Sequence, residues 1–335
     1  MKAICVILGL FMISPVQKDD TLPGAYREVD QVIWIVSDLD HTLSQYDQLG
    51  FSEVLDLGKA KVKSRSGNGS EEGECTVLLA RANLGGAIVN WIQPLEGHSL
   101  FHEFREAHGD GAMSLVHRFP GEKELKKEIH RLDGFGIGLM GEITLVTSKG
   151  DLEFILMDTG QEGKFILGFT VGRDPMNITE ELSRMNRHSM KLNQYAFAIR
   201  DPDPVSGYWQ QFGLPAFEIN HPELGETRYY GELVDHSLIQ GWQRHGTIAY
   251  EWCIPVKPPI VYEDHIQKHG EGIHHLAFSV EDMDRVLNDF KSRGFVVSMG
   301  GTWGEKGKPG SGRYEYIDLE QSGGLTMELL WSHSE

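Results

Sequence analysis

The chain of 335 residues is poor in cysteine, and Cys5, Cys75 and Cys253 form no C-x-x-C pair and no regular spacing. This excludes a disulfide scaffold and a zinc site made of thiolates. Basic residues are also scarce, since 31 Lys and Arg stand against 49 Asp and Glu, for a formal net charge of −18. Because phosphates repel such a chain and no Lys/Arg cluster offers a basic face, nucleic acid is not an expected partner.

Long hydrophobic runs are absent too. The only membrane-like segment is residues 3–13, which follow Lys2 and are too short to cross about 30 Å of hydrocarbon. We therefore expect no integral membrane span. Residues 1–20 have the proportions of a signal peptide, although no pair of small residues marks a cleavage site before Lys18. We expect a secreted or periplasmic protein, and the alternative is a cytoplasmic protein with a disordered leader or a buried first strand.

The chain does contain ample material for packed cores, because 40% of its residues are hydrophobic and 24% are charged. It also contains an internal duplication. A His-Gly-acidic-Gly motif at residues 108–111 recurs at 269–272, an offset of 161. An Asp-x-Asp motif at 38–40 recurs at 201–203, an offset of 163. One two-residue insertion reconciles these offsets, so the chain holds two related domains.

The repeat predicts one domain over residues 28–170 and a second over 190–333, joined by a polar linker over 171–189. Each domain divides again into two similar modules. In the last quarter, strand-like residues 273–280 precede residues 283–290, whose apolar side chains recur at i, i+3, i+4 and i+7 and mark a helix face. Further strand patterns follow, so the repeating unit is β-α-β-β-β and the fold class is α+β.

Three short motifs are more specific than the repeat: GIHHLAF at 272–278, VEDM at 280–283 and IQPLEG at 92–97. They resemble the vicinal oxygen chelate superfamily, which includes glyoxalase I, methylmalonyl-CoA epimerase and extradiol dioxygenases. The resemblance covers nearly everything after about residue 30. It implies four βαβββ modules paired into two cup-shaped, glyoxalase/dioxygenase-like domains. In such a cup, four inward-facing strand positions hold one divalent metal.

In the carboxy-terminal half, the resemblance implies the metal ligands Gln194, Glu251, His275 and Glu328, on the first and fourth strands of the two modules. Oxygen donors with one imidazole suit Zn²⁺, Ni²⁺, Co²⁺, Mn²⁺ or Fe²⁺. Both glutamates lie in otherwise apolar strands, where an unpaired carboxylate is costly, so a metal is their expected partner. The order Gln, Glu, His, Glu is similar to glyoxalase I and departs from the epimerase and dioxygenase patterns. Strand alternation predicts that His274 faces away from this site.

The amino-terminal half has no such donor set. The positions that correspond by offset are Gln31, Asn90, Ser114 and Leu167, which offer neither imidazole nor carboxylate. We expect this half to be a degenerate, structural copy. The alternative is that it binds a neutral ligand without metal.

Two carboxylates at one metal supply what proton transfer beside a carbonyl requires. We therefore expect a metal-dependent isomerase, epimerase or lyase of a small oxo- or hydroxy-substrate, with Glu328 as base and Glu251 as acid or second base. The alternatives are an extradiol-type or hydroxyphenylpyruvate-type dioxygenase and a non-catalytic protein that binds a small molecule. Lys306, Lys308 and Arg313 would hold an anionic group near the opening of the cup, unless their loop is simply solvated. We expect one divalent ion per chain and a monomer or homodimer.

Overall fold

The computed structural model describes residues 22–70, 75–176, 178 and 186–333, so the leader over residues 1–20 lies outside the described residues. The α-helices of the described residues are α1 Leu39–Gln48, α2 Leu100–His108, α3 Glu122–Asp133, α4 Gly160–Gly163, α5 Pro202–Gln210, α6 Val261–His269 and α7 Met283–Ser292, with 3₁₀ turns at Gly24–Arg27 and Glu320–Ser322. The strands are β1 Gln31–Ile35, β2 Val54–Ser66, β3 Cys75–Leu84, β4 Ala87–Pro94, β5 Gly111–Phe119, β6 Leu139–Val146, β7 Leu152–Met157, β8 Ile166–Val171, β9 Lys191–Ala198, β10 Glu218–Asn220, β11 Leu224–Tyr229, β12 Glu232–Leu233, β13 Ser237–His245, β14 Ile248–Lys257, β15 Gly272–Ser279, β16 Val297–Trp303, β17 Gly312–Ile317 and β18 Thr326–Ser332.

Three of the four module helices begin at an aspartate cap, whereas α3 begins at Gly121 without a side-chain cap. Asp38, Asp201 and Asp282 cap the helices α1, α5 and α7, each accepting a hydrogen bond from a backbone N–H of the first turn. Gly50 and Gly213 follow α1 and α5 with φ near +100° and +98°, a conformation that favours glycine. The two copies therefore share their helix boundaries as well as their sequence motifs.

The amino-terminal half is a closed barrel with the strand order β1-β4-β3-β2-β6-β7-β8-β5. Its first module is β1-α1-β2-β3-β4 and its second is β5-α3-β6-β7-β8, which confirms the predicted β-α-β-β-β unit. The interior is packed with apolar side chains such as Ile33, Leu79 and Phe154. Helix α2, which joins the two modules, adds Leu100 and Phe101 to this core.

The carboxy-terminal half is a strongly curved ten-stranded sheet with the order β10-β13-β14-β9-β15-β18-β17-β16-β11-β12. Strands β10 and β11 are consecutive in the chain, but β10 pairs with β13 and β11 pairs with β16 at the other end of the sheet. The chain therefore passes from one edge of this half-barrel to the other. Helix α6 fills the inside with Tyr262 and Ile266, which pack against Cys253 and Tyr316.

The two halves meet around an approximate two-fold axis. His108 and His269, which correspond in the repeat, contact each other reciprocally: the Nδ1 atom of His108 is 2.9 Å from the carbonyl oxygen of His269, and the reverse distance is 2.5 Å. Phe165 of the first half packs against Phe197 and Trp252 of the second. The domain boundaries at residues 171–189 stay a prediction, because part of that segment lies outside the described residues. In the part of the chain that is described, no helix has the length and apolar character needed to cross a membrane.

Candidate metal centre

Four neighbouring strands in the middle of the half-barrel bring the four predicted ligands together. Strands β14 and β9 run parallel, β9 and β15 antiparallel, and β15 and β18 parallel. The side-chain amide of Gln194 donates to the Oε2 atom of Glu251 at 2.6 Å and to that of Glu328 at 3.2 Å. The Nε2 atom of His275 lies 3.2 Å from Glu328 Oε2 and 3.6 Å from Glu251 Oε2. All four predicted residues therefore converge on one point.

This cluster has the composition of a metal site. Gln194, Glu251, His275 and Glu328 are each at most 4% exposed. One ligand atom from each of Glu251, His275 and Glu328 lies within 4.8 Å of the others. Two buried carboxylates facing one imidazole are short of positive charge, and a divalent cation would supply it. The amide nitrogen of Gln194 faces the carboxylates, and the alternative amide orientation would turn its oxygen toward the same centre.

The pKa values of the cluster reflect the same lack of positive charge. Burial alone would lower the pKa of His275, but its contacts with Glu251 and Glu328 raise the pKa to about 9. Burial raises the pKa of Glu328, and the negative charge of Glu251 raises it further, while His275 acts in the opposite direction. The metal-free cluster therefore retains protons that a bound cation would displace.

A β-bulge places a second histidine in the site. His275 pairs with Ala196 and Ile273 pairs with Phe197, which leaves His274 without a partner on β9. The Nδ1 atoms of His274 and His275 are 2.8 Å apart. The prediction that His274 faces away is therefore wrong, because the bulge interrupts the alternation. By holding Nδ1 of His275, His274 leaves Nε2 directed at the carboxylates.

Three further residues support the ligands, and the sequence did not predict their role. The amide of Gln240 donates to Glu251 Oε1 at 2.5 Å. Tyr316 lies opposite Glu328 in the β17–β18 register, and its hydroxyl is 2.6 Å from that of Tyr262. Their inward positions depend on which strands pair and in which register, and no local motif carries that information.

The sequence of the second half matches a known family. Residues 193–312 match the profile described as the Glyoxalase/Bleomycin resistance protein/Dioxygenase superfamily, a range that includes three of the candidate ligands. A mutant of 4-hydroxymandelate synthase from Streptomyces coelicolor shares the fold across 92% of this chain and 93% of its own, with a TM-score of 0.57 and 15% identity. The second half therefore resembles this superfamily in sequence, and the chain as a whole shares the fold of the synthase.

Two other solved structures of this superfamily are more distant from the chain. A catechol 2,3-dioxygenase has a TM-score of 0.49 and 12% identity, over 91% of this chain and 88% of its own. A methylmalonyl-CoA epimerase from Mycobacterium tuberculosis has a TM-score of 0.31 and 19% identity, over 44% of this chain and 90% of its own.

In the amino-terminal half, a buried arginine lies beside the positions that correspond to the metal ligands. The guanidinium of Arg81, which is fully buried, donates to Asn90 Oδ1 at 2.7 Å and to Gln31 Oε1 at 3.0 Å. It also forms a bidentate pair with Asp174 at 2.9 and 2.8 Å. A fixed cation therefore lies beside two of the positions that correspond to metal ligands, and the interpretation of this half as a structural copy stays a prediction.

Strand register corrects one of those correspondences. Ala277 pairs with Glu328 in the second half, whereas Val116 pairs with Gly168 in the first. The counterpart of Glu328 is therefore Gly168, and the offset-based choice of Leu167 was wrong by one residue. Leu167 packs in the core cluster outside the barrel interior.

The predicted anion contacts do not form a group. Lys306 and Lys308 are exposed in the loop between β16 and β17. Arg313 lies on β17, and its guanidinium donates to Glu315 at 2.6 Å and to Asp284 at 2.7 Å. Since the alternate residues of β17 face the interior, Arg313 lies on the outer face of the sheet. The expectation that it faces the opening is therefore wrong.

Proposed function

We propose that this protein is a metal-dependent isomerase, epimerase or lyase that moves a proton next to the carbonyl of a small oxo- or hydroxy-substrate. The observation that carries the proposal is the buried arrangement of Glu251 and Glu328 around His275, with both carboxylate Oε2 atoms within 3.6 Å of one imidazole nitrogen. Gln194, Glu251, His275 and Glu328 would hold one Zn²⁺, Ni²⁺, Co²⁺, Mn²⁺ or Fe²⁺ ion. When bound, such an ion stabilises negative charge on a substrate oxygen.

The two carboxylates differ in how firmly they are held. Glu251 accepts an amide hydrogen bond on each oxygen, from Gln194 at 2.6 Å and from Gln240 at 2.5 Å. Glu328 accepts the longer bond from Gln194, at 3.2 Å, and lies beside the imidazole of His275. We assign Glu328 as the base that takes the substrate proton, because Gln240 would still hold Glu251 when Gln194 turns its oxygen toward a metal. Glu251 would return the proton from the other side or act as a second base.

The test is the exchange of solvent deuterium into candidate 2-oxo acids, 2-hydroxy acids and thiohemiacetals. Glu328→Gln should retain much of the metal through its amide oxygen, yet slow exchange by a factor of about 10² to 10⁴, the usual contribution of one acid or base. Glu153→Gln, which changes an exposed strand glutamate in the other half, is the matched control. If Glu328→Gln keeps its metal and the wild-type exchange rate, the base is another residue and Glu251 is next.

A dioxygenase is the second candidate, because the family description that matches residues 193–312 includes dioxygenases. The donor set is less typical of such iron sites, which use two histidines and one carboxylate with open positions for oxygen. Oxygen consumption with an aromatic substrate, in the absence of any deuterium exchange, would favour this candidate. A chain that binds no divalent ion would instead indicate a non-catalytic binding protein.

A further inference from the structure

A cleft of about 450 Å³ lies between the two halves, and none of the four candidate ligands lines it. This volume falls within the range of about 300–1,000 Å³ that is typical of small-molecule sites. Its walls come from α2 and the start of β5 on one side and from α6 and the start of β15 on the other. Phe104, Met113, Phe165 and Ile273 supply an apolar lining. The cleft is thus a second concave site, separate from the metal centre.

Among the described residues, one buried imidazole in this cleft has no hydrogen-bond partner. His265 on α6 is 9% exposed and lines the cleft, and no group of the described residues hydrogen-bonds its ring. Its neighbours are the rings of His269 and His274, whose centroids are each 5.0 Å away. Burial, with a smaller effect from the charge of His269, lowers the pKa of His265 to about 3. At neutral pH the ring is therefore uncharged and keeps one nitrogen free to accept a hydrogen bond.

The rim of the cleft is acidic. Glu103, Asp110, Asp158 and Glu271 line it together with two basic groups, the ammonium of Lys164 and the imidazole of His269, whose partner Glu320 does not line the cleft. Lys164 is already paired with Glu271 at 2.9 Å. Asp110 accepts hydrogen bonds from the backbone and hydroxyl of Ser37, and among the described residues no cationic group pairs with it. The cleft therefore has an apolar interior and an excess of formal negative charge at its edge.

We propose that this cleft binds a small organic cation, with an aromatic or aliphatic body on the apolar lining, an ammonium group at the acidic rim that includes Asp110, and His265 as a neutral hydrogen-bond acceptor in the cleft. The carboxylate would provide a charge-assisted hydrogen bond, and the imidazole would accept a second one. An anionic ligand of the same shape would be repelled by the rim. The proposal does not rest on the proton-transfer function, since none of the four candidate ligands lines this cleft.

The experiment uses three naphthalene probes of similar shape and the full chain: 2-(1-naphthyl)ethylammonium, 2-(1-naphthyl)ethanol and 3-(1-naphthyl)propanoate. Their fluorescence anisotropy is followed as protein is added. The ammonium probe should bind saturably, and at least about tenfold more tightly than the propanoate, as expected for one charge-assisted contact. Two pairs of variants locate the site. Ala107→Trp fills the exposed end of α2 that lines the cleft, with Ala216→Trp as its control. Asp110→Asn removes the charge, with Glu106→Gln as its control.

Loss of ammonium binding in Ala107→Trp but not in Ala216→Trp would place the probe in the cleft. A weakening of about tenfold in Asp110→Asn, absent for the ethanol probe and in Glu106→Gln, would confirm the preference for a cation. The proposal is overturned if the ammonium probe does not bind saturably, or if Ala107→Trp leaves its binding unchanged. Equal affinities for all three probes would also overturn it.

Discussion

Replacing Arg81 by methionine tests the idea that a fixed cation has taken over the metal position of the first half. The guanidinium is fully buried and makes four hydrogen bonds to Gln31, Asn90 and Asp174, two of them to the Asp174 carboxylate. Methionine has a similar length but no donors. The Arg81→Met change therefore leaves two buried amides and one carboxylate without their partner.

The expected loss of stability depends on how much of the Asp174 side chain is exposed to solvent. Removing one partner of a fully buried ion pair costs about 3–5 kcal/mol, because the remaining charge is desolvated. The Asp174 side chain is 16% exposed, which gives it partial access to solvent. We therefore expect Arg81→Met to lower the free energy of unfolding by about 3 kcal/mol, at the lower end of that range. Asp174→Asn, which keeps an acceptor for the guanidinium, should cost about 1–2 kcal/mol.

Urea unfolding at pH 7 measures both changes, and the double variant gives the coupling between them. Burial by itself would raise the pKa of Asp174, but the hydrogen bonds and charge of Arg81 lower it below its ordinary value. A lowered pKa contributes stability that is present at neutral pH and is lost as the pH falls through the folded-state value. The difference between wild type and Arg81→Met should therefore shrink in acid. A loss below about 1 kcal/mol at pH 7, or a difference that does not depend on pH, would refute the reasoning.

Two predictions concern the metal centre. The wild-type chain should hold about one divalent ion by elemental analysis. His275→Ala should lose metal and activity together, because it removes the only imidazole among the four assigned ligands. Full metal occupancy in this variant would contradict the ligand assignment. In the metal-free protein, the raised pKa of His275 should contribute stability that is complete below about 6.5 and is lost as the pH rises through about 9. Titration of the imidazole signals by nuclear magnetic resonance checks this, and a midpoint at or below 6.5 would contradict it.

The parts of the fold and site that could be predicted are those that depend on residues close together in the sequence. The aspartates at 38 and 201 recur because each caps a helix with its own side chain, a requirement satisfied within a few residues. Gln194, Glu251, His275 and Glu328 were assigned from the family resemblance and from the place of each residue in its strand. Glu251 and Glu328 are carboxylates in otherwise apolar strands, where an unpaired charge is costly, and this is itself a signal of a site.

The remaining features depend on pairing between strands that are distant in sequence. The bulge that turns His274 inward has a counterpart in the first half, where Met113 is left out of the β1–β5 register. A bulge shifts every later side chain to the other face, and nothing in the local pattern marks it. The role of Arg81 could not be predicted either, because its partner Asp174 lies 93 residues away in the sequence.

Gly168, the counterpart of Glu328, explains why the first half could not keep a ligand at this position, and it supplies the last prediction. A Cβ atom on Gly168 would lie 2.6 Å from Ser114 Oγ and 2.9 Å from Val116 Cγ2, and both distances are shorter than a van der Waals contact. In the second half, the residue opposite Glu328 is Ala277, which has no γ-carbons and leaves room for the longer side chain. Gly168→Ala should therefore destabilise the protein by about 1–3 kcal/mol through overpacking.

Chemical denaturation of Gly168→Ala in two backgrounds separates crowding from a backbone effect. The Ser114→Ala/Val116→Ala background removes both close atoms, at a cost of its own for the cavity left by valine. Because Gly168 does not have a positive φ, alanine is allowed there and restricts the unfolded chain. On the relieved background, Gly168→Ala should thus be neutral or stabilise by up to about 1 kcal/mol. An equal loss in both backgrounds would mean that crowding by Ser114 and Val116 is not what keeps glycine at this position.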